Sequence, residues 1–174
     1  MPGAGVERAS VTVRELRPGD SVGVRTIVAP EIDRSHYSVS LVAAVEAVWS
    51  GANAESRGLV AIQRDQVVGV VVFGAIAGSL GAGRLQLTVV ARDSRRSGIG
   101  SALVHRAIEV LGAEGIRAVF VELPDDPALI AVMRLLVRCG FRIDARVADY
   151  FRDGVDLAIL RRDVTPHTRS EVRM

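Results

Sequence analysis

The chain has 174 residues, of which 49% are hydrophobic and 24% charged, so it can bury the core of one domain, and disorder is excluded as its default state. Its formal net charge is +2, and its strongly basic side chains are all arginines, since the sequence contains no lysine. These arginines are spread along the chain and aromatic residues make up only 4% of it, which argues against a nucleic-acid-binding surface.

The first third of the chain predicts a strand, a turn and a helix. Residues 1–10 are expected to form a flexible lead-in. Val11–Leu16 alternates between apolar and polar residues, which predicts a strand, and Pro18-Gly19-Asp20 is a turn signal that closes it. The apolar residues of Ser38–Trp49 recur at helical spacing, which predicts the first helix.

Strands and helices alternate in the rest of the chain. The last helix is well delimited, because Asp126 can cap it, Pro127 suits its first turn and Gly140 suits its end. The other predicted elements are strands at Leu59–Gln63, Val67–Ile76 and Arg84–Ala91, a helix at Ile99–Leu111, and strands at Ile116–Leu123, Phe141–Ala148 and Val155–Arg161. This order predicts a mixed-sheet α/β domain over residues 11–163, followed by a polar tail at 164–174.

Targeting and membrane segments are not expected. Residues 1–10 contain no apolar signal core, and the longest apolar stretch, Val67–Leu80, is interrupted by glycines and too short for a membrane span. The single cysteine, Cys139, excludes an intramolecular disulfide and fits a reducing compartment. We therefore expect a cytoplasmic protein. Val67–Leu80 also carries more apolar surface than one hairpin arm usually buries, which favours a homodimer.

The segment Leu85–Leu103 carries the clearest chemical signal. A predicted strand runs into a short loop, and a helix begins at about Gly98. Unpaired backbone N–H groups at a helix start form an anion site, which the helix dipole strengthens. Arg95 and Arg96 add charge-assisted donors beside it. The loop therefore predicts a phosphate-binding site.

Three phosphate-binding patterns compete for this loop. A Walker loop requires a lysine, which the chain lacks. A dinucleotide fingerprint requires a third glycine where Leu103 stands, and no acidic ribose partner ends the next strand at the expected reach. The third pattern, Arg/Gln-x-x-Gly-x-Gly/Ala after a strand, is matched in full by Arg95-Arg96-Ser97-Gly98-Ile99-Gly100.

With this motif the chain resembles the GNAT superfamily of N-acetyltransferases, over about Val11–Asp163. Gly140-Phe141 is similar to the usual Gly-Phe pair of the family, and Asp149–Asp156 resembles the Asp-Tyr-Tyr-x-x-Gly-Asp-Asp ending of many small-molecule members. The resemblance implies a single-domain α/β fold with a mostly antiparallel central sheet flanked by helices. It also implies acetyl transfer from acetyl-CoA to a primary amine through a tetrahedral intermediate, without a metal.

The resemblance also implies where acetyl-CoA would bind. Main-chain groups of Val89 and Val90 would pair with pantetheine where two strands splay apart, and an N–H near Val90 would stabilise the oxyanion. Backbone amides of the loop would hold the pyrophosphate. The residues implied there are Arg95, Arg96, Ser97, Gly98, Ile99, Gly100 and Ser101.

The usual general acid of the family is missing from its position. A Tyr is common four residues before the Gly of the Gly-Phe pair, but Leu136 stands there, and Leu129 replaces a frequent Asn. Tyr150 is the nearest phenol by motif, as acid or substrate contact, and its alternative role is packing with a solvated hydroxyl. A non-catalytic acyl-CoA-binding or regulatory module therefore remains an alternative function, and a nucleotide-binding α/β domain remains a third.

The general base is equally open. The two-residue period of the strand before the loop places Gln86, Thr88 and Val90 on one face, where Gln86 and Thr88 could position a water, although neither is itself a base. Glu122, late in the neighbouring strand, is the candidate carboxylate; the alternative is a solvated charge or a salt bridge to an arginine.

The acceptor is expected to be a small-molecule amine, although a peptide or protein amine fits as well. By the resemblance, His36 and the adjacent Tyr37 lie in a segment over the acceptor site. Asp149 belongs to an acidic cluster that would attract a cationic amine, or it serves turn chemistry. No two histidines have metal-ligand spacing, so no metal is predicted.

Overall fold

Seven strands form one sheet in the computed structural model, which describes residues 10–32, 44–46, 48–49 and 55–164. The strands are β1 (Thr12–Glu15), β2 (Ser56–Gln63), β3 (Gln66–Ala75), β4 (Ala82–Val90), β5 (Ala118–Pro124), β6 (Arg142–Arg152) and β7 (Val155–Asp163). They lie in the order β1-β2-β3-β4-β5-β7-β6, and β4 with β5 is the parallel pair. The predicted α/β fold with a mixed, mostly antiparallel sheet is confirmed.

The helices are α1 (Ser21–Ile32), α2 (Ile99–Ala113) and α3 (Ile130–Arg138), and residues 44–46 and 48–49 are also helical. Asp126 caps the 3-10 turn Pro127–Leu129 that leads into α3, since its side chain accepts a hydrogen bond from the backbone N–H of Ala128 at 2.8 Å. The predicted end of α3 at Gly140 has a φ of 86°. The remainder of the predicted helix Ser38–Trp49, most of the predicted lead-in and the tail from residue 165 lie outside the described residues.

Helix α1 was not predicted, because its sequence lacks a strong helical signal. It contains Gly23 and Pro30, both poor helix formers, among β-branched residues. Packing compensates: Val24 and Val28 are buried against the sheet. A Cβ at Gly23 would lie 2.7 Å from Val67 Cγ2, so glycine lets α1 approach β3 closely.

The core has two layers, one on each face of the sheet. On the face covered by α2 and α3, here the α2 face, Val71 and Phe73 pack with the apolar side of α2. On the opposite face, here the α1 face, Val70 and Val72 pack with α1. Strand β3 is therefore buried on both sides, which accounts for most of the apolar residues of Val67–Leu80, whereas Leu80 itself is 91% exposed. The homodimer stays a prediction. None of the described helices has the length and apolar character of a membrane span.

A bulge in β4 corrects the predicted alternation. Leu85 pairs with Phe73 and Leu87 pairs with Val72, so Gln86 is an extra residue in the strand. Its side-chain amide donates to Ser56 Oγ at 3.0 Å. Since Leu87 lies in the α1-face core, the next residue, Thr88, points to the α2 face. The prediction that Gln86, Thr88 and Val90 share one face is therefore wrong for Gln86.

Strands β4 and β5 separate soon after they begin. Their ladder consists of Ala82 with Ala118, Gly83 with Val119, and Arg84 with Phe120. Beyond these pairs the two strands share no register, so a cleft opens between the carboxyl half of β4 and that of β5. Parallel strands that diverge in this way leave backbone donors and acceptors free to bind a ligand.

Candidate active site

The cleft is lined by backbone groups of β4. Ala91 N–H donates to the Val68 carbonyl at 2.9 Å, and bonding toward one neighbour alternates along an antiparallel strand. Val89 therefore turns its N–H and C=O to β3, although it was predicted together with Val90 to contact pantetheine. The N–H groups of Thr88 and Val90 face the cleft instead, which gives two candidate oxyanion donors.

The loop after β4 presents a continuous run of free N–H groups. Among the described residues, none accepts a hydrogen bond from the backbone N–H groups of Arg96 through Ser101. The backbone is left-handed at Arg96 (φ 59°) and at Gly98 (φ 88°), the N-cap of α2. The Arg95 N–H is already bonded to the Arg92 carbonyl at 3.2 Å, so the free run begins at Arg96. Such a run at a helix N-terminus suits a pyrophosphate.

The Arg95 side chain braces this loop. Its Nε–H donates to the Val90 carbonyl at 3.0 Å, and its Nη2 lies 2.6 Å from Glu31 Oε1 at the end of α1. Arg92 contacts the same carboxylate at 3.3 Å. The Arg95 guanidinium is therefore already held by protein groups, and the free donors of the loop are backbone N–H groups and the side chain of Arg96.

The start of α2 is packed tightly against α3. A Cβ at Gly100 would lie 3.1 Å from Leu135 Cδ2 and 3.6 Å from Val90 Cγ2, so the absence of a side chain keeps the phosphate loop close to both elements. Cys139 is buried at the end of α3, and burial raises its pKa while a hydrogen bond with Ser101 opposes that rise. A neutral thiol in this position is a packing group beside the loop.

The side chains of Glu122 and Thr88 point to opposite faces of the sheet. Val121 and Leu123 belong to the α2-face core, so the side chain of Glu122 points to the α1 face and is exposed. In the part of the chain that the structure describes, Glu122 forms no hydrogen bond or ion pair. Its predicted alternative, a salt bridge to an arginine, is therefore not formed there.

The two positions discussed for the general acid offer no obvious proton donor to the cleft. Leu136 is 2% exposed and belongs to the core. Tyr150 is 61% exposed on the edge strand β6, with its ring 5.0 Å from that of Phe151 in an edge-to-face contact. It sits where β6 bulges between Val147 and Arg152, separated from β5 by β7.

The carboxylates of the acidic cluster contact two arginines and the backbone of the β6–β7 turn. Asp149 Oδ1 accepts from the Gly154 N–H at 2.7 Å, and the Asp149 N–H donates to Asp156 Oδ1 at 3.1 Å. Asp125 pairs with Arg146 at 3.0 Å, and Asp126 pairs with Arg152 at 2.8 Å. The contacts of Asp149 are those of its alternative role in turn chemistry, and its role as a substrate contact stays a prediction. His36 and Tyr37 lie outside the described residues.

Two charged residues at the site belong to no sequence motif and were not predicted. Glu31 reaches the loop from α1, a helix the sequence did not predict. Arg84 is exposed on β4 at the last residue pair before the cleft opens. Only the register between β4 and β5 reveals its position.

Comparison with protein families and solved structures places the chain among acetyltransferases. The model of the acetyltransferase (GNAT) family matches residues 26–141. A protein from Desulfovibrio desulfuricans assigned to the GNAT acetyltransferase family is similar, with 25% identity and a TM-score of 0.78 over 90% of this chain and 100% of its own. Among curated proteins, none matches the sequence.

Two more distant structures share the fold. An aminoglycoside 6′-N-acetyltransferase complexed with coenzyme A is 15% identical, with a TM-score of 0.74 over 90% of this chain and 98% of its own. The ribosomal-protein-S18-alanine N-acetyltransferase of Escherichia coli is 17% identical, with a TM-score of 0.69 over 92% of this chain and 98% of its own. Proteins with this fold thus act on both small molecules and proteins.

Proposed function

The chain belongs to the GNAT acetyltransferase family and is an acyltransferase, and from this premise we propose that it transfers the acetyl group of acetyl-CoA to a primary amine of a small molecule. The observation that carries the proposal is the free N–H run from Arg96 to Ser101 at the end of a strand that opens a cleft. This arrangement suits a pyrophosphate at the loop and an extended pantetheine arm along β4.

Acetyl-CoA supplies an activated thioester that an amine attacks directly. The residues of the chain would orient that thioester in the cleft, with the N–H of Thr88 or Val90 directed at the oxygen on which negative charge develops. One such preorganised donor is typically worth about 3–4 kcal/mol of the barrier. This contribution requires no side chain with a particular pKa.

Glu122 is the proposed general base. Its carboxylate is exposed and forms no ion pair among the described residues, so it can accept a proton from the bound ammonium, directly or through a water, and leave the neutral amine that attacks the thioester. Thr88 points to the α2 face and would contact the pantetheine arm rather than share a water with Glu122. We assign Tyr150 no transfer step, because it stands on the edge strand.

A dedicated acid is not required at Leu136. A thiol has an ordinary pKa of about 8.5, so a thiolate is a tolerable leaving group near neutral pH and can take its proton from solvent or from the Glu122 carboxyl group that accepted the proton of the amine. Positioning and the oxyanion donors then supply most of the acceleration. The loss of the usual Tyr is thus compatible with turnover.

Thiol release in a panel of primary amines with acetyl-CoA tests the proposal. We expect saturable release with at least one amine and N-acetylation of that amine by mass spectrometry. The alternative, a non-catalytic acyl-CoA-binding module, is favoured if acetyl-CoA binds saturably and no amine in the panel is turned over. Thermal stabilisation by ATP or NAD but not by acetyl-CoA would contradict both and favour a nucleotide-binding domain.

A further inference from the structure

A row of side chains crosses the α1 face beyond the part that α1 covers. The strand register pairs Arg84 of β4 with Phe120 of β5, and Phe120 with Arg161 of β7. Residues paired across strands share a face, and Phe120 and Glu122 share one by the two-residue period. Helix α1 packs over β3 and β4, which leaves Phe120 half-buried and Glu122 exposed.

A cavity of about 310 Å³ continues from this row away from the cleft. Phe120 and Arg161 form its near end, and the β3–β4 turn at Ser79–Ala82 forms its far wall together with Arg117. Ala82 and Ala118 belong to its lining, and as a register pair two residues before Arg84 and Phe120 they lie on the same face. The cavity is therefore in line with Glu122 along one face of the sheet.

The charge along this line is uneven. Arg161 lies 5.9 Å from the Phe120 ring and shares Asp163 with Arg142, while Arg117 donates to the Leu80 carbonyl at 2.6 Å. Arg84 is exposed and has no hydrogen bond or ion pair among the residues the structure describes. Cations therefore surround Phe120, and the free carboxylate of Glu122 stands at the cleft end.

We propose that the acceptor is an amine that also carries an anionic group, with its amine at Glu122 and its anionic end at Arg84 and the cavity beyond Phe120. This inference rests on the proposed function, whose acceptor it specifies. A free guanidinium and a free carboxylate on one face match an acceptor with both charges, because each would gain a charge-assisted hydrogen bond on binding. A polyamine would instead bring a second positive charge to the arginines, which like-charge repulsion disfavours.

The spacing sets the size of the acceptor. Glu122 and Phe120 are two residues apart, or roughly 7 Å along the strand, and the cavity extends beyond Phe120. An amine and an anion separated by a few methylene groups would span this distance. Either a carboxylate or a phosphate would satisfy the guanidinium groups, since both accept paired N–H donors.

The experiment compares ω-amino carboxylates of increasing chain length with ω-amino alcohols of matched length and with ω-aminoalkyl phosphates. We expect kcat/KM for carboxylates or phosphates to exceed that for the matched alcohols by about tenfold or more, with a maximum at an intermediate length. In Arg84→Gln most of this ratio should disappear. The control Arg64→Gln, at the β2–β3 turn away from the cavity, should preserve it.

Calorimetric binding of the same probes to the CoA-saturated protein separates this inference from the proposed function. Selective binding of the anionic probes, lost in Arg84→Gln, would support the acceptor class even without thiol release, and the missing turnover would then count against the proposed function alone. Equal affinity for alcohols and carboxylates, a preference for diamines, or an equal loss for all probes in Arg84→Gln would overturn the inference. Preference for phosphates over carboxylates, or the reverse, identifies the anionic group.

Discussion

Arg95 Nε donates to the Val90 carbonyl oxygen at 3.0 Å, which joins the phosphate loop to the strand end whose N–H faces the cleft. The same guanidinium contacts Glu31 of α1, so one side chain connects three elements around the candidate site. The loop geometry therefore depends on a side chain that does not itself need to touch the ligand.

Replacing Arg95 by Gln should weaken acetyl-CoA binding. The variant loses the Val90 contact and the Glu31 ion pair, and because the Arg95 side chain is 44% exposed we expect a cost of about 1 kcal/mol, or about fivefold in Kd. Titration calorimetry measures it. The matched control is Arg92→Gln, which removes only a 3.3 Å contact to the same Glu31 and should change Kd by less than about twofold. Equal effects of both variants would contradict the role given to Arg95.

Introducing a carboxylate at Gly98 should abolish the anion site. Gly98 has a φ of 88°, and an added Cβ would meet no atom within 4 Å, so Gly98→Glu introduces backbone strain of about 1–2 kcal/mol and a negative charge but no clash. Gly98→Gln carries the same strain without the charge. We expect similar melting temperatures for both variants and at least about tenfold weaker acetyl-CoA binding for Gly98→Glu than for Gly98→Gln. Equal affinities would refute the assignment of the loop.

Replacing Glu122 by Gln should slow the acetyl transfer step. A general base contributes about 10²–10⁴-fold, so kcat should fall within that range while the Kd for acetyl-CoA stays constant. Glu109→Gln is the control, since Glu109 is exposed on α2 and pairs with Arg106 at 2.9 Å. Steady-state kinetics and calorimetry give both quantities. A decrease of less than about threefold in kcat would exclude Glu122 as the base.

The pair of Arg14 and Asp20 should make stability depend on pH in the acid range. Arg14 donates two hydrogen bonds of 2.7 Å to the Asp20 carboxylate, and these bonds lower the pKa of Asp20. Because the folded-state pKa lies below the unfolded value of about 3.9, the stabilisation is present above that value and is lost as the pH falls through the folded pKa. Asp20→Asn should cost about 1–2 kcal/mol at pH 7 and less below pH 3. Urea unfolding at both pH values tests this, and an equal cost at both would contradict it.

Cys139 should be inert in the folded protein. It is 2% exposed, and burial raises the pKa of its thiol. Incubation with iodoacetamide at pH 7.5 should leave the native chain unmodified and alkylate the single cysteine in guanidinium chloride, as mass spectrometry would show. Alkylation of the native chain at the unfolded rate would contradict this. A protected Cys139 also means that thiol release in the transfer assay comes from coenzyme A.

Elements with strong local signals were predictable from the sequence. The Asp126 cap of the turn before α3, the end of α3 at Gly140 and the β2–β3 hairpin depend on contacts within a few residues. At the hairpin, Arg64 and Asp65 both have positive φ values, 51° and 59°, as a two-residue turn requires, and Gln66 already belongs to β3. Helix α1 could not be predicted, because its stability comes from Val24 and Val28 packing on the sheet rather than from propensity.

Features of the site that depend on the pairing of strands could not be predicted from the sequence. The extra residue Gln86 is visible only in the pairing of β3 with β4, and it sends Thr88 to the face opposite Gln86. The sequence does not show which of Val89 and Val90 turns its backbone N–H toward the cleft. The hydrogen bond from the Ala91 N–H to the Val68 carbonyl assigns the N–H of Val90 to the cleft. Only the register of β4 with β5 shows that Arg84 and Glu122 lie near each other at the cleft, because these two strands are far apart along the chain.

Strands β4 and β5 are paired only from Ala82 to Arg84 on the β4 side. The sheet therefore consists of two parts, β1-β2-β3-β4 and β5-β7-β6, which are hydrogen-bonded to each other only along this short ladder. A pantetheine arm that hydrogen-bonds along β4 would hold the two parts of the sheet together where their strands are not paired. We expect the two parts of the sheet to separate transiently in the protein without acetyl-CoA, and this local opening to be suppressed when acetyl-CoA is bound. The resistance of the chain to proteolysis would then increase with the concentration of its own acyl donor.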